Sequence, residues 1–369
     1  MKFKKYHIAV ITGGASVEHE ISIQSAQKII TSIIEHHEIT LIYITREGAW
    51  RHIEDVSLFM TTPPKIETVE PLLSKQAVTF FPYQNGGCLM NSKGNVLSLF
   101  DVALPMCHGT YGEDGCLQGM LNMLNIPFIG SDVLGASIAM NKALSKELVE
   151  NRGIHVARHL LATHNFRPSQ GVVEEEIGYP LFVKPNNLGS SLGISHVHEE
   201  SELYPAINKA LCFDHEVLIE EAITGREIEC GILVMNGLPH VGVPGEIRSP
   251  NHFYSFSEKY LSSSKSQVCC PADIEPTGKA QYFALEAYRA LKLQSFARID
   301  FFLDDDGTWY FNEANPIPGF TDISMFPLSI QASGVSYMAM FEAMLEYAFI
   351  RHKKKQKNLH MAYDEKIYS

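Results

Sequence analysis

The stretch Arg298-Ile-Asp300-Phe-Phe-Leu-Asp-Asp-Asp-Gly307-Thr-Trp-Tyr-Phe-Asn-Glu313-Ala-Asn315 holds the densest set of chemically useful side chains in the sequence. A tight turn at Asp305-Asp306 predicts a hairpin that pairs Asp304 with Gly307 and, counting back, Arg298 with Glu313. Asp300 then lies diagonally from Glu313 on the same face, and Asn315 follows two residues further along it. Two carboxylates and an amide oxygen are hard ligands, suited to Mg²⁺ held together with substrate phosphates. A surface salt-bridge hairpin is the plainer alternative, and the flanking Ile299, Phe301, Phe302 and Phe311 fit it poorly.

A second group begins at Lys184, which closes the apolar run Tyr179–Lys184 and precedes Gly189-Ser190-Ser191-Leu-Gly193. A lysine ending a buried strand is costly unless it faces an anion or a wet cleft. The glycines and serines after it can offer backbone amides and hydroxyls to phosphate oxygens. GxxxxGK[ST] is absent and Leu192–Val197 reads as a returning strand, so the segment is expected to be a hairpin flap over a nucleotide.

Weaker signals lie elsewhere. Gly13-Gly14-Ala15-Ser16 ends the first strand and leads into Glu18 and Glu20, acids that could face a ligand or simply favour a helix N-terminus. His108-Gly-Thr-Tyr-Gly-Glu113-Asp-Gly115 follows another apolar strand, and a structural and a functional histidine are equally compatible with it. Val217–Glu221 runs into paired acids, Glu220 and Glu221. This is either a solvated hinge or a strand presenting its edge to adenine with a carboxylate near the ribose. A Ser-rich stretch, Glu246–Cys270, carries Tyr254, Lys259 and Tyr260 and is long enough to be a lid.

These groups need a scaffold of strands and helices. At 369 residues the length suggests two or three domains. His7–Thr12, Ile39–Ile44, Leu99–Pro105 and Pro127–Gly130 read as strands, with helical periodicity over Ile21–Ile34 and Leu117–Leu124. Together they imply a doubly wound first domain, 1–130, interrupted by a Pro- and Gly-containing insert within 46–98. A second block, 131–219, has a helix at Lys142–Arg152. A third, 220–350, has a helix at Thr277–Leu291 and a terminal helix at Val335–Ile350. The basic tail, 351–369, reads as a solvated helix end, with a docking site as the alternative.

Composition narrows the function. Thirty Lys+Arg against 42 Asp+Glu give a net charge of −12, which argues against a nucleic-acid surface. No apolar run approaches a membrane span, and the first strand is too short for a signal peptide. The seven cysteines form no CxxC pair, which points to a reducing cytoplasm and to neither zinc nor disulfides.

Phosphate flap, acidic hinge, oxygen-ligand hairpin and lid together describe an ATP site between two lobes. The sequence resembles the D-alanine:D-alanine ligases of the ATP-grasp superfamily from Gly13 to about Tyr347, through GGASVEHEIS, HGTYGEDG, KP…LGSSLGIS, EKYLSSS, RIDFF and NEANPIPGFTDISMFP. The insert at 46–98 and the tail carry no such motifs. The resemblance implies an α/β and α+β chain, an ATP-grasp fold with an N-terminal Rossmann-like domain. It implies Lys142 and Lys184 on ATP phosphates, Glu220, Glu221 and Ile223 at the adenine, and Glu227 at the ribose. Asp300, Glu313 and Asn315 would hold two Mg²⁺ (or Mn²⁺) ions.

By the same resemblance, Glu18 would anchor the ammonium of a first D-alanine and connect through Ser190 to Tyr260, with His108 near that substrate's carboxylate. Ser324 and Lys259 would receive the carboxylate of a second D-alanine. Arg298 and the Gly319 amide would steady an oxyanion formed when the second amine attacks an acyl phosphate. A homodimer is also implied. Pro316 departs from the small polar residue usual after the asparagine and removes a backbone donor. Glu221 stands where some relatives have lysine. A D-alanine:D-lactate ligase and a nucleotide-binding regulator without turnover are the competing readings.

Overall fold

The computed structural model describes residues 4–248 and 267–363. Three sheets account for nearly all the strands. The first has the order β6-β5-β4-β3-β2-β1-β7. It is built from β1 (His7–Gly13), β2 (Glu38–Ile44), β3 (Trp50–Ile53), β4 (Leu73–Tyr83), β5 (Gly86–Asn91), β6 (Val96–Phe100) and β7 (Val102–Pro105). Only β2-β1-β7 are parallel. The insert does form hairpins, and they extend the sheet as four antiparallel strands, so the doubly wound pattern is confined to one end. The expected strand Leu99–Pro105 is broken between β6 and β7. At Asp101 the chain bends, its backbone amide bonds the His7 carbonyl, and its carboxylate accepts the His7 amide.

Gly13 has φ +89°, and a Cβ there would collide with the Ile44 carbonyl, so the strand must end on glycine. Helix α1 (His19–Ile33) follows, burying Ile23, Ala26, Ile29, Ile30 and Ile33 on one side. Helix α2 (Cys116–Met123) opens directly after the HGTYGEDG loop.

Helices α3 (Val133–Met140) and α4 (Lys142–Glu150) come next, then the short β8 (His155–Val156). Residues 133–156 were grouped with the central block by order in the chain. Their packing lies with the third sheet: β8 pairs with a strand there, and Ala139, Val149 and Ile154 join its core. The central sheet has the order β11-β10-β12-β9. Its strands are β9 (His159–Thr163), β10 (Leu181–Pro185), β11 (Ser195–Val197) and β12 (Glu216–Glu221), backed by α5 (Leu203–Ala210). The expected flap is present, since β10 and β11 are antiparallel neighbours.

The third sheet contains β13 (Arg226–Met235), β14 (Leu238–Val241), β15 (Gly245–Arg248), β16 (Gln267–Cys269), β17 (Phe296–Leu303) and β18 (Trp309–Asn315), together with β8. Helices α6 (Thr277–Ala290), α7 (Met325–Ala332) and α8 (Tyr337–Tyr363) complete the chain. One core joins the first domain to the last helix, with Ile8, Val10 and Leu104 sharing a cluster with Phe320, Phe326, Phe341 and Met344.

Helix α8 continues through the basic segment, which is therefore no separate tail up to residue 363. Arg351 donates to the carbonyls of Phe128 and Gly130 and lies 4.2 Å from the Phe128 ring centroid. It closes helix α8 onto the first domain. Arg351→Ala leaves two carbonyls without their charged donor, so unfolding stability should fall by about 2 kcal/mol in urea titration; an unchanged midpoint contradicts this lock.

Candidate active site

The β17–β18 hairpin has a different register from the one expected. Asp304 and Thr308 bracket a wider loop with Gly307 at φ +81°, and a bulge follows between Asp300 and Phe301. Each irregularity shifts the pairing by one residue. Arg298 therefore faces Asn315, and Asp300 faces Glu313 directly. On the other side, β13 places Glu229 opposite Asp300. Glu229, Asp300 and Glu313 form a row of acids across three strands, and Arg298 and Asn315 occupy the next row on the same face.

Charge pairing organises this row. The Arg298 fork donates to both Asp300 oxygens, at 2.8 and 2.7 Å, and its Nε lies 3.1 Å from Glu229. Burial opposes the arginine's charge, but Asp300 and Glu229 outweigh it and raise the pKa well above the usual value. Lys142, the first residue of α4, lies 3.4 Å from Glu313 and donates to the Leu188 carbonyl at 2.7 Å. Asn315 accepts from the Ile317 amide at 3.1 Å, which turns the chain at Pro316 toward Gly319. Pro316 thus coexists with a Gly319 that lines the same cleft as Arg298.

Lys184, the penultimate residue of β10, pairs with Glu220 on the neighbouring β12. The sequence reading missed Lys146, which is fully buried and sits 2.6 Å from the same carboxylate. Burial works against the Glu220 charge, and the two ammonium groups more than offset it, holding the carboxyl down at about 2. Burial likewise lowers Lys146, against the pull of Glu220. Glu221 accepts from Arg158 on both carboxylate oxygens at 2.9 Å and still lines the same hollow as Lys184.

Glu18 precedes α1 and accepts from Ser190, linking the first domain to the flap. Gly109 (φ +70°) is required beside it, because a Cβ there would meet Ser16 and Glu18. His108 is buried, 3.0 Å from Ser25 and 3.8 Å from Glu113, whose other oxygen accepts from the Gly109 amide at 2.6 Å. Burial disfavours its charge, yet the carboxylates Glu113 and Glu18 win and raise its pKa. Glu113 had not been singled out. Ser324 bonds Thr321 at 2.8 Å beside Gly319. Lys259 and Tyr260 lie outside the described residues, as does most of the expected lid.

Two adjoining hollows result. The larger, about 250 Å³, is lined by Glu18, His108, Ser190, Arg298, Gly319 and Ser324, among others. The smaller, about 100 Å³, is lined by Lys184, Glu220, Glu221, Ile223 and Glu227, among others. Lys142, Gly189 and Glu313 belong to both and form the wall between them. No group of three or more His, Cys, Asp or Glu forms a ready metal cage among the described residues. The oxygen-only set Asp300, Glu313 and Asn315 nevertheless matches the donors that Mg²⁺ prefers.

Two α+β lobes clasping such a cleft behind a first α/β domain define an ATP-grasp fold. A family model described as D-ala D-ala ligase N-terminus matches residues 7–131, and one described as D-ala D-ala ligase C-terminus matches 148–346. The chain belongs to the D-alanine–D-alanine ligase family. It is 39% identical over 356 residues to the D-alanine–D-alanine ligase of Shouchella clausii, covering 95% of this chain and 96% of that one. The ligase structure from Coxiella burnetii superposes with a TM-score of 0.85 at 32% identity, over 100% of both chains. The Bacillus anthracis ligase complexed with ATP superposes with a TM-score of 0.69 at 27% identity, over 95% of this chain and 99% of that one.

The triad around Glu220 has a measurable acid signature. The Glu220 carboxyl is held below the usual carboxylate range, so its stabilisation is complete above about pH 5 and drains as pH falls toward 2. Glu220→Gln should flatten that part of the stability curve; an unchanged slope contradicts the assignment. Lys146→Met should destabilise the fold by about 3 kcal/mol at neutral pH in urea titration, because a buried pairing is broken.

Proposed function

We propose that the chain uses ATP to join two molecules of D-alanine into D-alanyl-D-alanine, a building block of peptidoglycan precursors. The reading is carried by the shared wall of the two hollows. A phosphoryl donor in the smaller hollow and a carboxylate in the larger one would meet at Lys142 and Glu313.

In this reading Lys142 and Lys184 face the phosphates, while β12 and Ile223 border the base and Glu227 the ribose. Lys142 offsets charge where the terminal phosphoryl group leaves ADP for the first substrate's carboxylate. Glu18 holds that substrate's ammonium, and Ser190 fixes the rotamer of Glu18. His108, whose pKa Glu113 raises against the effect of burial, faces the carboxylate. Ser324 receives the second carboxylate. The second amine, once deprotonated, attacks the acyl phosphate, and inorganic phosphate departs from the tetrahedral centre. Arg298 and the Gly319 amide are donors suited to the oxyanion formed there. Asp300, Glu313 and Asn315 would hold Mg²⁺ or Mn²⁺, which supplies charge neutralisation for the phosphates.

Lys259 and Tyr260 are assigned to the lid side of the second substrate on family resemblance alone. The homodimeric state rests on the same ground, and the cytoplasmic location on the seven scattered free cysteines. No helix among the described residues is long and apolar enough to cross a membrane.

Purified protein should release ADP and phosphate only when D-alanine is present, and the product should be the dipeptide. Release insensitive to D-alanine, or ATP binding without turnover, would reject this reading. Offering D-lactate beside D-alanine tests the acceptor: dipeptide should predominate at neutral pH, and exclusive ester formation would assign the chain to the depsipeptide type. Arg298→Ala should lower kcat by roughly 10²- to 10³-fold with little change in the KM for ATP. Unchanged turnover would remove the arginine from the chemistry.

A further inference from the structure

Glu229 is a buried acid in the larger hollow, 4% exposed, and the proposed reaction leaves it without a role. Its place is defined by the strands. It faces Asp300 across β13 and β17, and Asp300 faces Glu313 across β17 and β18. Its carboxylate lies 3.1 Å from Arg298 Nε, the nitrogen that also donates to Asp300 at 2.8 Å.

We propose that Glu229 is a positioning residue that frees Asp300 for a divalent cation by serving as the alternative partner of Arg298. The inference rests on the ligase reading only in taking Asp300 as a cation ligand. The Arg298 fork occupies both oxygens of Asp300. A carboxylate engaged in this way offers a divalent ion little until the guanidinium yields. A guanidinium only 15% exposed cannot yield into water, and leaving it unpaired in a low-dielectric cleft is costly. Glu229 removes that cost because it already touches Nε. Arg298 can then pivot toward β13 while staying in the hollow where a tetrahedral oxyanion would form.

A second consequence separates this role from a simple effect of negative charge. Were Glu229 only an extra anion near the cation, its removal would weaken binding whether or not Arg298 were present. As a partner for Arg298, it matters only while the arginine competes for Asp300. The two mutations must therefore be strongly non-additive.

The test is Mn²⁺ titration by electron paramagnetic resonance on the full chain with a non-hydrolysable ATP analogue, which needs no turnover. Glu229→Gln should weaken Mn²⁺ by roughly ten- to hundred-fold, and Glu229→Asp should recover part of the loss. In an Arg298→Ala background, adding Glu229→Gln should change Mn²⁺ affinity by less than about two-fold. The Mg²⁺ concentration for half-maximal ADP release should rise in Glu229→Gln alone. Unchanged Mn²⁺ affinity in Glu229→Gln overturns the proposal, as does an equal loss in both backgrounds. So does a drop in melting temperature in Glu229→Gln and Glu229→Asp alike with no Mn²⁺ effect. Wild-type protein that binds Mn²⁺ and ATP analogue but never turns over would reject the ligase reading and leave this inference standing.

Discussion

A charge taken out of water must find a partner, and that constraint shapes the cleft more than any other. Lys142, Glu229, Arg298, Asp300 and Glu313 crowd one face of the third sheet and the start of α4, where solvent is scarce. None of these ions would be tolerable alone. Each is made acceptable by a neighbour on another strand or helix, so the site exists only when β13, β17, β18 and α4 are assembled. The Lys146–Glu220–Lys184 group repeats the arrangement beneath the smaller hollow. Two cations around one acid leave a positive excess where phosphates are expected. The net −12 of the whole chain hides this local surplus.

Pairing across domains gives the cleft its third wall. Glu18 comes from the first domain and Ser190 from the flap, so their hydrogen bond joins two units that have separate cores. The first domain is in turn held by α8, whose apolar residues share its core and whose Arg351 binds the carbonyls of Phe128 and Gly130. The last helix therefore sets where Glu18 can reach, although it lies at the opposite end of the chain from that residue.

Much of this was legible in the sequence because local patterns carry it. The continuous apolar run of His7–Thr12, buried on both faces of its sheet, the helical face of Ile21–Ile34 and the β10–β11 flap all follow from local hydrophobic patterning. The hairpin register did not, because Gly307 widens the turn and a bulge at Asp300 adds a second slip. Neither leaves a clear mark in composition. Lys146 and Glu229 were missed because their partners come from strands remote in sequence. Both had a signal: Lys146 is four residues after Lys142 on one helix face, and Glu229 alternates with Glu227 between apolar Ile228 and Cys230. No local pattern announces that a bidentate Arg158, 63 positions away, holds the Glu221 carboxylate. The helix beyond Ile350 reads as a solvated basic end and its lysines are exposed, but nothing in a lysine run announces that Arg351 is a half-buried anchor.

The proposed reaction requires the two hollows to exchange a phosphoryl group across the Lys142–Glu313 wall. D-alanine labelled with ¹⁸O in its carboxylate reports that transfer directly, because an acyl phosphate passes one carboxylate oxygen to the phosphate that leaves. Mass spectrometry of the released inorganic phosphate should find one ¹⁸O atom per phosphate formed with dipeptide. Phosphate free of label, with dipeptide still produced, would contradict it.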